Sequence, residues 1–159
     1  MGTLLATYLN DHLAGATAGR ELARRAAANN RKTELGFALE ELAREIDHDR
    51  DALIELMRSL DVSRDRLKVL GGWTLEKVGR LKLNGRLLGY SPLSRLLELE
   101  GLTLGVRGKL GLWLALQALK TDHTTLGLAD LSGLAARAEE QLSRLEPLRL
   151  QAARETLLP

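Results

Sequence analysis

From Leu35 to Leu60 the chain returns to one register at alternating steps of four and three residues: Leu35, Leu39, Leu42, Ile46, Asp49, Leu53, Leu56, Leu60. That period lines the side chains along one stripe of an α-helix, whereas a strand would send them to both faces. So apolar a stripe is stable only when other helices cover it, and the chain is therefore constrained to an all-α packing. About a quarter of the residues are leucine, only 3% are aromatic, and β-branched residues are scarce, which argues against sheet. A length of 159 residues with 45% hydrophobic content predicts a single domain over residues 1–159.

The rest of the chain divides by the same signals. Leu5, Leu9, His12, Ala16, Gly19 and Ala23 predict a first helix over Thr3–Ala28, with an inner face that narrows to small residues. Asn29-Asn30-Arg31-Lys32 is a short polar break, and Thr33 can cap the second helix, which runs to Leu60. So short a turn makes these two helices an antiparallel hairpin. Ser63 opens a third segment from Arg64 to Leu83, weakened by Gly71-Gly72 and ended by Asn84-Gly85. Ser91 followed by Pro92 is a cap and a first-turn proline, and starts a helix to Leu119 with Gly101, Gly105, Gly108 and Gly111 along one side. The last helix begins near Asp130, turns Leu131, Ala135, Ala138, Leu142 and Leu145 inward, and should kink at Pro147. A helix of about twenty residues covers ~30 Å, so the Arg64–Leu83 segment can cross the bundle from end to end. The expected architecture is a ferritin-like four-helix bundle: two antiparallel hairpins joined by an additional helical crossover segment between the second helix and the next long one.

Several function classes are excluded by composition. With no cysteine there is no disulfide framework, thiolate metal site or cysteine nucleophile. A net charge of +2 is too small to indicate nucleic acid by itself. Asn10, Asp11 and His12 interrupt the first segment too early for a secretory signal, and the most apolar stretch, Leu110–Leu119, is too short to span a bilayer, so a cytoplasmic protein is expected. No phosphate loop, nucleophile elbow or paired-histidine zinc motif is present, and no catalytic residue is assigned.

Asp49 is the informative exception on the leucine seam, because a buried carboxylate must find a partner. The turn near Asn30 puts His12 opposite it, which predicts a buried His12–Asp49 hydrogen bond that fixes helix register. A wider polar cluster of Asp11, His12, Glu45, His48 and Asp49, joined by Glu140 and Lys109 at similar height, is the candidate site.

Two helical hairpins with a long connection, Tyr8-Leu9-Asn10-Asp11-His12 in the first helix and Glu45-Ile46-Asp47-His48 in the second resemble the ferritin-like superfamily. The whole sequence is also similar to uncharacterised bacterial proteins of about this length. The superfamily resemblance implies a di-metal centre of iron or manganese, built from one glutamate on each of two helices and a glutamate-x-x-histidine pair on each of the others. Glu45 and His48 match one such pair, Asp11 or His12 stands where a lone glutamate would, and Glu140 is followed by Ser143 where the second histidine belongs. The Pro92 helix offers Lys109 at that level, with Glu98 and Glu100 about two turns away.

The crossover segment concentrates charge, with Arg64, Arg66, Lys68, Lys77, Arg80, Lys82 and Arg86 facing only Asp65 and Glu76. Arg66, Trp73, Lys77 and Arg80 share one side, a surface that could touch an anionic membrane or nucleic acid. The glycine row can accept a helix of the same chain or of a second copy; a homodimer is expected through the crossover helix and Leu87-Leu88-Gly89-Tyr90. The expected function is a non-catalytic helical scaffold or interaction protein with a buried polar cluster. The alternatives are a di-metal carboxylate protein with oxidase or metal-storage activity and a peripheral membrane or nucleic-acid binder. No small-molecule ligand is indicated.

Overall fold

The computed structural model describes residues 3–65, 90–119, 126 and 129–158. Among them are four long helices and no strand: α1, Thr3–Asn29; α2, Glu34–Ser59; α3, Pro92–Ala118; and α4, Leu131–Leu157. The starts of α2, α3 and α4 follow from capping. Thr33 accepts from the amide of Gly36 at 3.0 Å, Ser91 and Ser94 form a reciprocal capping box, and Asp130 accepts from the amide of Gly133 at 2.9 Å. Each hydroxyl or carboxylate satisfies an amide that the helix itself leaves without an acceptor. Gly36 is also required by space, since a Cβ there would lie 2.1 Å from the carbonyl oxygen of Asn30 in the turn. At its far end α2 stops in a Schellman turn: the amides of Asp61 and Val62 donate to the carbonyls of Arg58 and Met57, with Asp61 left-handed at φ 53°. Helix α4 continues unbroken through Pro147, which is exposed.

Helices α1 and α2 form one antiparallel hairpin and α3 and α4 another, with α1 beside α3 and α2 beside α4. The α1–α3 approach is close, and Ala23, Ala26 and Ala27 are buried on α1 while Gly101 leaves room for Leu22. Helices α2 and α4 come together only sparsely. Leu9, Leu13, Leu39, Leu53, Met57, Leu99, Leu102, Trp113, Leu116 and Leu145 are among the core side chains, the larger share of it leucine as the seams require.

Two asparagines mark opposite ends. Asn10 donates to the carbonyl of Ser63 at 3.1 Å and accepts from the amide of Asp65 at 2.7 Å, holding the chain that leaves α2 against the start of α1. Asn30, at the other end of α1, donates to the hydroxyl of Tyr90 at 2.7 Å, just before α3 begins. Residues 65 and 90 are therefore separated by most of a helix length, and α3 runs parallel to α2 and antiparallel to α1. The crossover helix expected over residues 64–83 lies, from residue 66 onward, outside the described residues.

Candidate functional site

Asp49 is 1% exposed, and its carboxylate is met from the second hairpin. Lys109 of α3 donates to Asp49 Oδ2 at 2.5 Å and to Gln141 Oε1 at 2.5 Å. Arg137 of α4 donates through Nε to Asp49 Oδ1 at 2.6 Å, and Gln141 Nε2 donates to Asp49 Oδ2 at 3.2 Å. One turn earlier on α2, Glu45 accepts from Gln141 Nε2 at 3.0 Å and from Arg144 Nη2. Helical spacing makes this possible: Glu45 and Asp49 are one turn apart on α2, and Arg137, Gln141 and Arg144 follow at four and three on α4. Burial pulls the pKa of the Lys109 ammonium below its ordinary value, opposed by the attraction of Asp49. Hydrogen bonding to Glu45 holds the Arg144 guanidinium above its own. An open cleft of about 620 Å³ adjoins the network between α2 and α4, with His48, Ala52, Leu56, Leu134 and Arg137 on its walls.

A second buried carboxylate, Glu98 of α3, lies toward the Asn30 end. It accepts from Arg25 Nε at 3.2 Å, Asn29 Nδ2 at 3.3 Å and the Tyr90 hydroxyl at 3.1 Å. Burial is the largest influence on the Tyr90 phenol and raises its pKa. These bonds tie the α1–α2 turn to the start of α3, and Tyr90 turns its hydroxyl inward to its own bundle.

The expected cluster is therefore brought together only in part. Asp49, Glu45 and Lys109 meet; His12, Asp11, His48 and Glu140 do not join them. The expected His12–Asp49 bond is corrected by the azimuth of α2. Asp47 binds Arg20 and Arg24, and Arg50 binds Thr17, so these two side chains face α1. Asp49, two residues beyond Asp47 and about 200° around the helix, faces α3 and α4 instead. His12 is half-buried and rests edge-on against Tyr8, ring centroids 4.6 Å apart, and burial lowers its pKa against the opposing pull of Asp11. His48 and Glu140 are exposed, as is Asp11. Arg137, Gln141 and Arg144 were not anticipated, nor was Glu98 as a buried centre. Gln141 carried a legible signal, since it completes the inward row Ala138, Gln141, Leu145 at the height of Asp49.

The residues do not fit the implied iron or manganese centre. Among the described residues no group of three or more His, Asp or Glu could hold a metal ion. The two interior carboxylates of α2 have their lone pairs directed at Lys109, Arg137, Arg144 and the Gln141 amide, and the positive charges of the first three stand where a cation would have to be. Arg66, Trp73, Lys77, Arg80 and Leu87-Leu88-Gly89 lie outside the described residues. No helix among the described residues is long and apolar enough to cross a membrane. Comparison with protein-family models, curated proteins and solved structures finds no match to this chain.

Proposed function

We propose that this chain is a non-catalytic helical scaffold or interaction protein of ferritin-like topology, in which an interior ion network replaces metal chemistry. The observation that carries this reading is the neutralisation of Asp49 and Glu45 by Lys109, Arg137 and Arg144 at mid-height of the bundle. Carboxylates so engaged are poor ligands, because a metal would have to expel bound cations before coordinating. The topology is supported by the parallel run of α2 and α3, with residues 65 and 90 at opposite ends of the bundle. A cytoplasmic setting belongs to the same reading.

Elemental analysis of protein purified without chelators, then equilibrated with iron(II) or manganese(II) and desalted, tests it. The scaffold reading expects metal far below one equivalent per chain. Near-stoichiometric iron or manganese that is lost on Asp49→Asn or Glu45→Gln overturns it in favour of the di-metal alternative.

A further inference from the structure

We infer that the outward face of α3 is a self-association surface whose occupant is α3 of a second copy, packed antiparallel about a two-fold axis beside Leu104. This names a partner for the scaffold proposed above and rests on that reading.

Leu97, Leu104, Gly108, Gly111 and Ala115 follow one another at seven, four, three and four residues and share one side of α3. Leu104, Gly108, Gly111 and Ala115 on this side are exposed, and Leu97 is half-buried. Leu104 is 70% exposed, and Leu114 on its flank is 48% exposed. Of the glycine row, Gly101 alone accommodates a neighbour, Leu22; a Cβ on Gly105, Gly108 or Gly111 would meet no other described atom within 4 Å. Each of these glycines weakens the helix relative to alanine, with no contact among the described residues to account for it. Between Glu100 and Lys120 the outward face carries one charged side chain, Arg107, since Lys109 is turned inward to Asp49.

Charge identifies the occupant. Glu100 and Arg107 are seven residues apart and so stand on the same flank of the face. In an antiparallel pair of identical helices the same flanks meet, and a two-fold axis midway between these residues sets Glu100 of each copy opposite Arg107 of the other. That axis passes beside Leu104. It also seats Leu97 of each copy over the Gly108 and Gly111 notch of the second copy, where the missing side chains admit it. The leucines supply the apolar contact, and the two ion pairs fix the register more than the affinity. Among the described residues Glu100 has a loose partner, Arg149 at 3.9 Å, and its side chain is 43% exposed.

Light scattering across a micromolar concentration series, with variants on this face, tests the inference. The mass should rise from 17.5 kDa toward twice that value, and Leu104→Asp should hold it at the monomer. Arg107→Glu alone should weaken association several-fold, Glu100→Arg alone likewise, and the double charge swap should restore it. Leu104→Cys, in a chain without cysteine, should oxidise to a linked dimer while Asp51→Cys does not. Circular dichroism confirms that each variant keeps its helices. A mass of 17.5 kDa at every concentration overturns the inference. So does a dimer indifferent to these substitutions, or a monomer whose Leu104→Cys thiol is shielded, which would place residues 66–89 of the same chain on this face. Metal analysis and mass are separate readouts, so either proposal can fail without the other.

Discussion

Lys109 reaches Asp49 across the diagonal of the bundle, from α3 of one hairpin to α2 of the other, at 2.5 Å. Helices α2 and α3 are not packed neighbours, and α2 and α4 approach only sparsely, so long polar side chains bridge a gap that leucines fill elsewhere. The ammonium, two guanidiniums and the Gln141 amide knit the two hairpins together on the side where backbone packing is weakest. Such a network specifies which helix faces meet more than it adds net stability, because each ion loses hydration on burial.

Removing one member should therefore be costly and replacing the ions together should not. Asp49→Ala is expected to destabilise by ~3–5 kcal/mol, by leaving Lys109 and Arg137 without their counterion. Asp47→Ala, at a partly exposed pair with Arg20 and Arg24, should cost less than about 1 kcal/mol. The triple variant Asp49→Leu, Lys109→Met and Arg137→Leu, which removes both cations with their counterion, should recover much of the loss. Urea denaturation measures all three, and equal costs for Asp47 and Asp49 would contradict the assignment of the interior network.

The Glu98 centre makes a separate prediction. Tyr90→Phe deletes a donor to Glu98 and the acceptor of Asn30 and should cost ~1–2 kcal/mol without changing the oligomeric mass, because the hydroxyl is spent within its own chain. A change in mass with unchanged stability would assign Tyr90 to an intermolecular contact instead.

Acid should weaken the fold through His12. Its folded-state pKa lies below the ordinary 6.5, chiefly because burial disfavours the imidazolium. The unfolded chain thus binds more protons between the two values, so the contribution is full above pH 6.5 and is lost as pH falls through the folded value. His12 is only half-buried, and solvent screening keeps the effect small. Urea midpoints near pH 5.5 and near pH 8 should differ less in His12→Phe than in the parent chain; an identical difference would remove His12 as its source.

The two turns at the ends of α2 respond oppositely to substitution. Asp61→Gly should be neutral to stabilising by up to ~1 kcal/mol, since glycine relieves a left-handed residue at the Schellman position. Gly36→Ala should destabilise by ~1–3 kcal/mol by forcing a methyl group against the Asn30 carbonyl. Thermal denaturation of the two variants checks both signs.

What the sequence determined by itself was local. The four-three spacing, Thr33, Ser91-Pro92 and the start near Asp130 were enough to place the starts of all four described helices, and the ends of the first three, to within a residue or two, because period and capping are properties of neighbouring residues. The same spacing showed that Asp49 must be buried and partnered, and that Lys109 stands at its height. The choice of partner was made by tertiary structure. Asp47 and Asp49 are almost adjacent in sequence, yet one faces α1 and the other faces α3 and α4, and only the docking angle of the two hairpins decides which flank of α2 meets which helix. Nothing local marks Arg137 and Arg144 for an interior role; the approach of α4 to α2 brings their long side chains to Asp49 and Glu45. Glu98 is likewise committed by the arrival of Arg25, Asn29 and Tyr90 from parts of the chain that local periodicity cannot bring together.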